Sequence, residues 1–327
     1  REPVRGTYRG YEVVSAAPTS SGGTHVVQGL NVLEGFDVRG MGFGTPESVH
    51  LLAETLKICF ADRAAYQGDP AVVDVPVEWL TSKDYAAQRR RELDFGAART
   101  YPAGRRPGQT TPGSGRASGA PESGNSESGN TTHLTTMDGA GTIVCMTQTL
   151  NTLFGSKVTV PGTGMLLNNC MLLFDPRPGG PNAVASRKRM LSSMSPTIVL
   201  RQGTPAFALG TPGGTRIFPV VLQGIVNVID HGMTLQEAVE APRAWAQYGP
   251  PAPLEIEGAF PPAVRERLQA LGHNVRVVPR VAGGMNGVQV DAVRGSLHGA
   301  ACWRADGAPV GMSGGYAVQP TASGVPE

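Results

Sequence analysis

The alternation of apolar and polar positions changes character several times along the 327 residues. Tyr11-Glu-Val-Val-Ser15 alternates weakly, as a half-buried strand does. Pro18-Thr-Ser-Ser-Gly-Gly23 breaks the pattern, and an apolar helical spacing then runs to about residue 36. Thr45-Pro46 predicts a helix start, because threonine caps free N–H groups and proline fits the first turn. Val49, Leu52, Ala53, Leu56 and Phe60 repeat on one face of that helix. Asp62-Arg63 and Gly68-Asp69-Pro70 predict its end in a turn, and a further helix is expected over 81–94.

From Gly104 to Asn130 the pattern vanishes into mostly Gly, Ser, Pro, Arg, Thr, Asn and Glu, with Ala117 and Ala120 its apolar content and no aromatic residue. Such a segment buries too little apolar surface to offset its ordering entropy, so it reads as a flexible, protease-accessible linker. Strand composition resumes at once. Thr131–Thr136 and Thr142–Thr149, joined at Asp138-Gly-Ala-Gly141, predict a hairpin. Further strands are expected at 197–200, 206–209, 253–257, 274–278, 287–291 and 297–302, and helices at 217–231, 234–241 and 261–271. Thr234-Leu-Gln-Glu237 is a capping box. After Gly311 the chain turns Gly/Ser/Pro-rich and is expected to fray. Helices and strands in comparable number predict the α+β class, with layers of sheet and helix.

Composition narrows the function. Hydrophobic residues at 40% suffice for a core, and a net charge of +2 argues against a broad nucleic-acid surface. The longest basic run, Arg89–Arg91, reads as a solvated helix face. No apolar run approaches the roughly 20 residues of a membrane span. The opening Arg1-Glu-Pro3 has no signal-like apolar stretch and no Met, so the chain is expected to be a fragment or product of a longer precursor. Cys59, Cys145, Cys170 and Cys302 are widely spaced, form no CxxC pair and are expected to act as small buried hydrophobes.

One junction suggests chemistry. A threonine hydroxyl is a weak nucleophile until a base takes its proton, and an α-amine can be that base when threonine begins its chain. An internal threonine reaches that state only by backbone cleavage before it. A mobile linker joined directly to a strand-borne threonine provides the arrangement at Asn130-Thr131. The same residues also fit an ordinary linker running into an edge strand, and Asn130-Thr131-Thr132 is a glycosylation sequon.

The surrounding motifs decide between these readings. Thr131-Thr-His133, Thr149-Leu-Asn151-Thr152 with Phe154-Gly155, Gly164-Met-Leu-Leu-Asn-Asn169, Leu191-Ser-Ser-Met-Ser-Pro-Thr197 and Gly210-Thr-Pro-Gly-Gly-Thr-Arg216 occur in that order. They resemble the successive motifs of a γ-glutamyltranspeptidase small subunit. Tyr8-Arg-Gly-Tyr11, Pro18–Gly23, Ala61-Asp-Arg63 and Gly68-Asp-Pro70 are similar to the later part of that family's large subunit.

The resemblance implies a four-layer αββα sandwich of the N-terminal nucleophile hydrolase type. Residues 1–103 would be the end of the large-subunit region, 104–130 the linker and 131–327 the small subunit, together one αββα domain. It implies self-cleavage between Asn130 and Thr131, with Thr131 as the nucleophile and Thr149 beside it. Asn151 would orient the polar head of the donor, Ser192 and Ser193 would bind its carboxylate, and the N–H groups of Gly213 and Gly214 would form the oxyanion hole. The acyl group of an amide or γ-glutamyl donor would pass through an ester to water or an amino acid, with no metal or organic cofactor. An arginine in the family's preceding segment also binds the donor carboxylate.

The chain departs from the family at two places. Typical members carry a Gln and an Asp that hold the donor α-ammonium where this sequence has Cys170 and Leu173. That implies donors lacking the free amine, such as glutaryl-type or small dicarboxylic amides. A biosynthetic tailoring hydrolase and a non-catalytic scaffold are the competing readings, and the compartment stays open.

Overall fold

Arg9 and Gly10, both at positive φ (51° and 83°), close a two-residue turn between β1 (Val4–Tyr8) and β2 (Tyr11–Ser15). The computed structural model describes residues 1–108, 130–247 and 252–312. After the hairpin comes α1 (Gly22–Leu33), buried at every residue. A short α2 (Val38–Met41) leads to α3 (Pro46–Tyr66), where Thr45 Oγ accepts the Ser48 N–H at 3.2 Å as the sequence predicts. Then follow α4 (Val77–Leu80) and α5 (Lys83–Arg90), the latter capped by Ser82. Most of the expected linker, 109–129, lies outside the described residues.

Beyond it, β3 (Thr131–Met137) and β4 (Ile143–Thr149) form the predicted hairpin. They are followed by β5 (Thr197–Arg201), β6 (Thr204–Gly210), α6 (Ile217–Ile229) and α7 (Leu235–Glu240), whose capping box is formed. The chain continues through β7 (Ala244–Ala246), β8 (Leu254–Glu257), α8 (Pro262–Ala270), β9 (Val275–Val278), β10 (Asn286–Asp291) and β11 (Ser296–Ala301). The expected fraying falls on 313–327, outside the described residues.

Six strands make one antiparallel sheet in the order β1-β2-β5-β6-β10-β11. β1 and β2 come from before the linker and the other four from after it, so the two segments share one sheet. Helices α1, α6 and α7 cover one face. Leu30, Val13, Val199, Phe207, Leu209, Phe218 and Leu222 are buried in that interface. Each such side chain contributes about 1.5–3 kcal/mol by leaving water. The β3–β4 hairpin packs on the other face. Its pattern has period two: Thr131, His133 and Thr135 turn toward the large sheet, while Thr132, Leu134 and Thr136 are exposed. Among the described residues no helix covers that outer side, so they build three of the four expected layers.

Two sequence expectations need correction, and one strand lies outside the expected set. Asp62-Arg63 does not end α3, which runs on to Tyr66. Asp62 stays inside because it accepts hydrogen bonds from Gln28, Tyr85 and the Gly104 N–H. Arg89 is no solvated residue: it is buried and bonded to Glu92 and the Pro102 carbonyl. β1 lies outside the expected strands; within it a Cβ at Gly6 would meet Val27 Cγ1 at 2.3 Å.

Candidate active site

The register of the two sheets brings the sequence-predicted residues to one end of the molecule. Cys145, paired with Thr135, donates to the carbonyls of Thr197 (3.7 Å) and Leu209 (3.5 Å). Next along β3 toward Thr131, the His133 ring lies on Gly210, where a Cβ would meet it at 2.2 Å. Two residues along β3 toward Thr131, from Thr135 to His133, thus carry the contact one residue along β6, from Leu209 to Gly210. The chain leaving β6 reaches Gly213-Gly214 at the Thr131 end. Thr197 opens β5 opposite Leu209, and Ser15 closes β2 opposite Thr197. The segments 16–22 and 191–196 leave from that same end.

Thr131 and Thr149 face each other across the hairpin. Thr131 Oγ1 donates to Thr149 Oγ1 at 2.9 Å. Thr149 Oγ1 also accepts the Asn151 N–H at 2.8 Å and donates toward the Asn130 carbonyl at 3.4 Å. A single hydroxyl thus touches the candidate nucleophile and the carbonyl that precedes it. Asn151 sits at φ 76°, a left-handed conformation that asparagine tolerates better than most residues. Its side chain donates to the Asn169 carbonyl at 3.4 Å. Asn169 in turn clasps Thr152 through its side chain (3.1 and 2.7 Å). The clasp brings residues 168–170 beside Asn151. Asn169 closes the Gly164–Asn169 motif, and nothing in the sequence alone marks this role for it.

Ser192 and Ser193 are nearly buried, at 8% and 7% exposure. The 18–23 loop holds them. Ser192 N donates to the Thr19 carbonyl at 3.1 Å, while Ser21 N and Ser21 Oγ donate to the Ser192 carbonyl at 2.9 and 2.8 Å. Ser21 precedes α1, but its hydroxyl does not cap the helix because it is committed to Ser192. Gly22 permits this approach: a Cβ would lie 2.1 Å from Ser195 Oγ and 2.6 Å from the Met194 carbonyl.

Gly213 adopts φ 145° and Gly214 φ 59°, conformations that favour glycine. Arg216, two residues on, places Nε and Nη2 on Glu255 Oε2 at 3.0 and 2.9 Å and lies 4.2 Å over the Trp245 ring. Arg276 joins the same carboxylate. This clamp anchors the start of α6, and sequence reading assigned no role to Glu255. No local signal marks it, since its partners lie in distant segments.

Cys170 and Leu173 open and close a 3₁₀ turn, Cys170–Leu173. Cys170 is buried, and its N–H donates to Asn168 Oδ1 at 2.9 Å. Leu173 is half-buried, and its carbonyl accepts from Asn182. Neither side chain can balance an ammonium charge.

Beneath Thr131, His133 hydrogen-bonds Thr147 (2.8 Å) and Thr135 (2.9 Å), with Cys145 Sγ 3.6 Å from its Nε2. Burial holds the imidazole down to about 4 and pushes the thiol up to about 11, so the pair is neutral and no thiolate nucleophile forms. The folded His133 stays neutral while an unfolded histidine protonates below about 6.5. Its stabilising effect is complete above that pH and is lost as pH falls toward 4. The slope reaches at most about 1.4 kcal/mol per pH unit for each such histidine. Urea midpoints should therefore drop between pH 6.5 and 4.5, and His133→Asn should flatten that slope. An identical slope in the variant would contradict the assignment.

Among the described residues one group could hold a metal: His50, Glu54 and His273, with ligand atoms within 4.8 Å of one another. Lys57 Nζ already lies 2.6 Å from Glu54 Oε1, and His50 bonds His273 at 2.8 Å and the Asp94 carbonyl at 2.8 Å. The ammonium fills the cation's role, so the cluster reads as a tie between α3 and the turn after α8.

Comparison with known proteins bears on the family and the fold. Residues 1–312 match the family model for gamma-glutamyltranspeptidase. The acylase ACY 1 proenzyme of Pseudomonas sp. strain SE83 is 51% identical over 317 residues, 97% of this chain and 53% of that protein. The glutathione hydrolase proenzyme of Escherichia coli K12 is 40% identical over 311 residues, 92% of this chain and 50% of that protein. The crystal structure of cephalosporin acylase from Bacillus halodurans superposes with a TM-score of 0.79 at 29% identity, covering 93% of this chain and 52% of that one. The chain thus spans about half the length of these relatives. It belongs to the gamma-glutamyltranspeptidase family and has that family's α+β N-terminal nucleophile hydrolase fold.

Proposed function

We propose that Thr131 becomes the first residue of a separate chain and serves as the nucleophile of an amidohydrolase and acyltransferase. The observation that carries this is the Thr149 hydroxyl, placed between Thr131 Oγ1 and the Asn130 carbonyl. In the uncut chain Thr131 Oγ attacks the Asn130 carbonyl carbon, and Thr149 polarises its oxygen. The peptide C–N bond breaks, an ester forms, and water hydrolyses the ester. Thr131 is left with a free α-amine, whose ordinary pKa of about 7.7–8.0 suits a general base.

In turnover that amine accepts the Thr131 hydroxyl proton as Oγ attacks a side-chain-type amide of the donor. The N–H groups of Gly213 and Gly214 stabilise the oxyanion. The amine leaves with a proton, and water or an amino acid takes the acyl group from the ester. Ser192 and Ser193 receive the terminal carboxylate of the donor, and Asn151 orients its polar head.

The preferred donor is a glutaryl-type amide or small dicarboxylic monoamide. Leu173 and Cys170 give an α-ammonium no counter-charge, and an unpaired charge in a closed site costs several kcal/mol. The 51% identity to a protein named an acylase supports this reading. The 40% identity to a glutathione hydrolase, with the serine pair and Asn151 in place, favours the second reading, a γ-glutamyl donor. Glutaryl and γ-glutamyl anilides separate the two. The glutaryl compound should be hydrolysed faster, and Leu173→Asp should shift preference toward γ-glutamyl by about tenfold or more. A wild-type preference for γ-glutamyl would overturn the acylase reading.

A further inference from the structure

The serine pair has a neighbour on α3 that gives it a direction. Arg63, in the last turn of that helix, places Nε 3.0 Å from Ser21 Oγ and Nη2 3.1 Å from Ser193 Oγ. A guanidinium carries donors only, so both hydroxyl oxygens accept from it. Ser21 then spends its proton on the Ser192 carbonyl at 2.8 Å. Ser193 cannot direct its proton back at the guanidinium. Among the described residues no group accepts it. Ser192 Oγ is in a similar state: it accepts the Met194 N–H at 3.2 Å, and no described residue takes its proton.

We infer that Arg63 is a specificity-determining positioning residue: by occupying an acceptor site of Ser193 and fixing Ser192 through Ser21, it biases the serine pair toward donating and so selects a carboxylate over a carboxamide. The inference rests on the proposal that this pair receives the terminal carboxylate of the donor. It goes further by naming what disfavours the hydroxyls turning round to accept from an amide N–H. A serine hydroxyl left to itself serves either partner equally well. One with a lone pair engaged by a cation donates a hydrogen polarised by the positive charge behind it, and accepts more weakly through its remaining lone pair. Arg63 acts through the serines and stays off the scissile bond, so its effect belongs in KM and in discrimination rather than in the chemical step.

The test compares two substrates on the full-length, processed enzyme. One is the anilide donor the wild type prefers; the other is its counterpart with the terminal carboxylate replaced by a carboxamide. Wild type should favour the carboxylate, and Arg63→Lys should reduce that ratio about tenfold, chiefly through the carboxylate's KM, with kcat nearly kept. Lysine keeps the charge but lacks the fork that reaches two oxygens. Ser21→Ala removes the other arm and should reduce the ratio by a smaller factor, which guards against a folding defect in Arg63→Lys. An equal loss on both substrates, or an unchanged ratio in both variants, overturns the role of Arg63. Equal use of both substrates by the wild type instead overturns the carboxylate cradle itself, and with it this inference.

Discussion

Replacing Thr131 by alanine should leave the chain uncut and abolish turnover, by about 10⁴-fold or more relative to the processed wild type. Both effects follow from one atom. The hydroxyl that attacks the Asn130 carbonyl is the hydroxyl that later attacks the donor, and alanine has none. Thr131→Ser is the informative companion: it keeps the hydroxyl and, once cut, the amine, so both events should survive at reduced rate. Thr149→Ala should fall between them, since it removes the 2.9 Å partner of the nucleophile while sparing the nucleophile itself. Denaturing gels and single-turnover assays on all three variants read these outcomes. Cleavage or full activity in Thr131→Ala would falsify the nucleophile assignment.

Gly213→Ala should lower kcat by about 10²–10³-fold, while Gly214→Ala should cost only about tenfold or less. The difference comes from the backbone. Gly213 sits at φ 145°, and a Cβ there would meet Ala282 Cβ at 2.6 Å, so the turn must move and carry its N–H away. Gly214 at φ 59° is strained for alanine, but a Cβ there meets nothing within 4 Å. A left-handed residue of that kind costs roughly 1–2 kcal/mol without forcing a shift. Steady-state kinetics on fully processed protein measure both. The reverse order, or equal losses, would show that Gly213 is not the sensitive donor of the oxyanion site.

What the sequence reveals and what it hides divide along a physical line. Local rules carry α3 and α7, because Thr45-Pro46 and Thr234 with Glu237 are caps whose partners lie within one turn. They also carry the hairpin at Thr131, where period two is read directly from the side chains. Thr131, Thr149, Ser192 and Gly213 were found through ordered motifs; composition alone would have left Thr131 an edge-strand residue. The hidden features depend on long-range partners. Arg89 reads as a solvated charge until folding sets it near the buried Asp62. Glu255 and Arg63 act on residues 39 and 130 positions away, which no spacing rule reaches. Ser21 stands at the N-cap position of α1, and only the approach of Ser192 shows that its hydroxyl is employed elsewhere.

On the proposed mechanism Thr131 becomes a chain terminus whose own amine activates it. Mass spectrometry of freshly folded full-length protein, read under denaturing conditions, tests this most directly. Two chains parted between Asn130 and Thr131, with threonine as the new first residue, are the expected result. A single uncut chain that still hydrolyses its amide donor, or a break elsewhere in the linker in fully active protein, would contradict it.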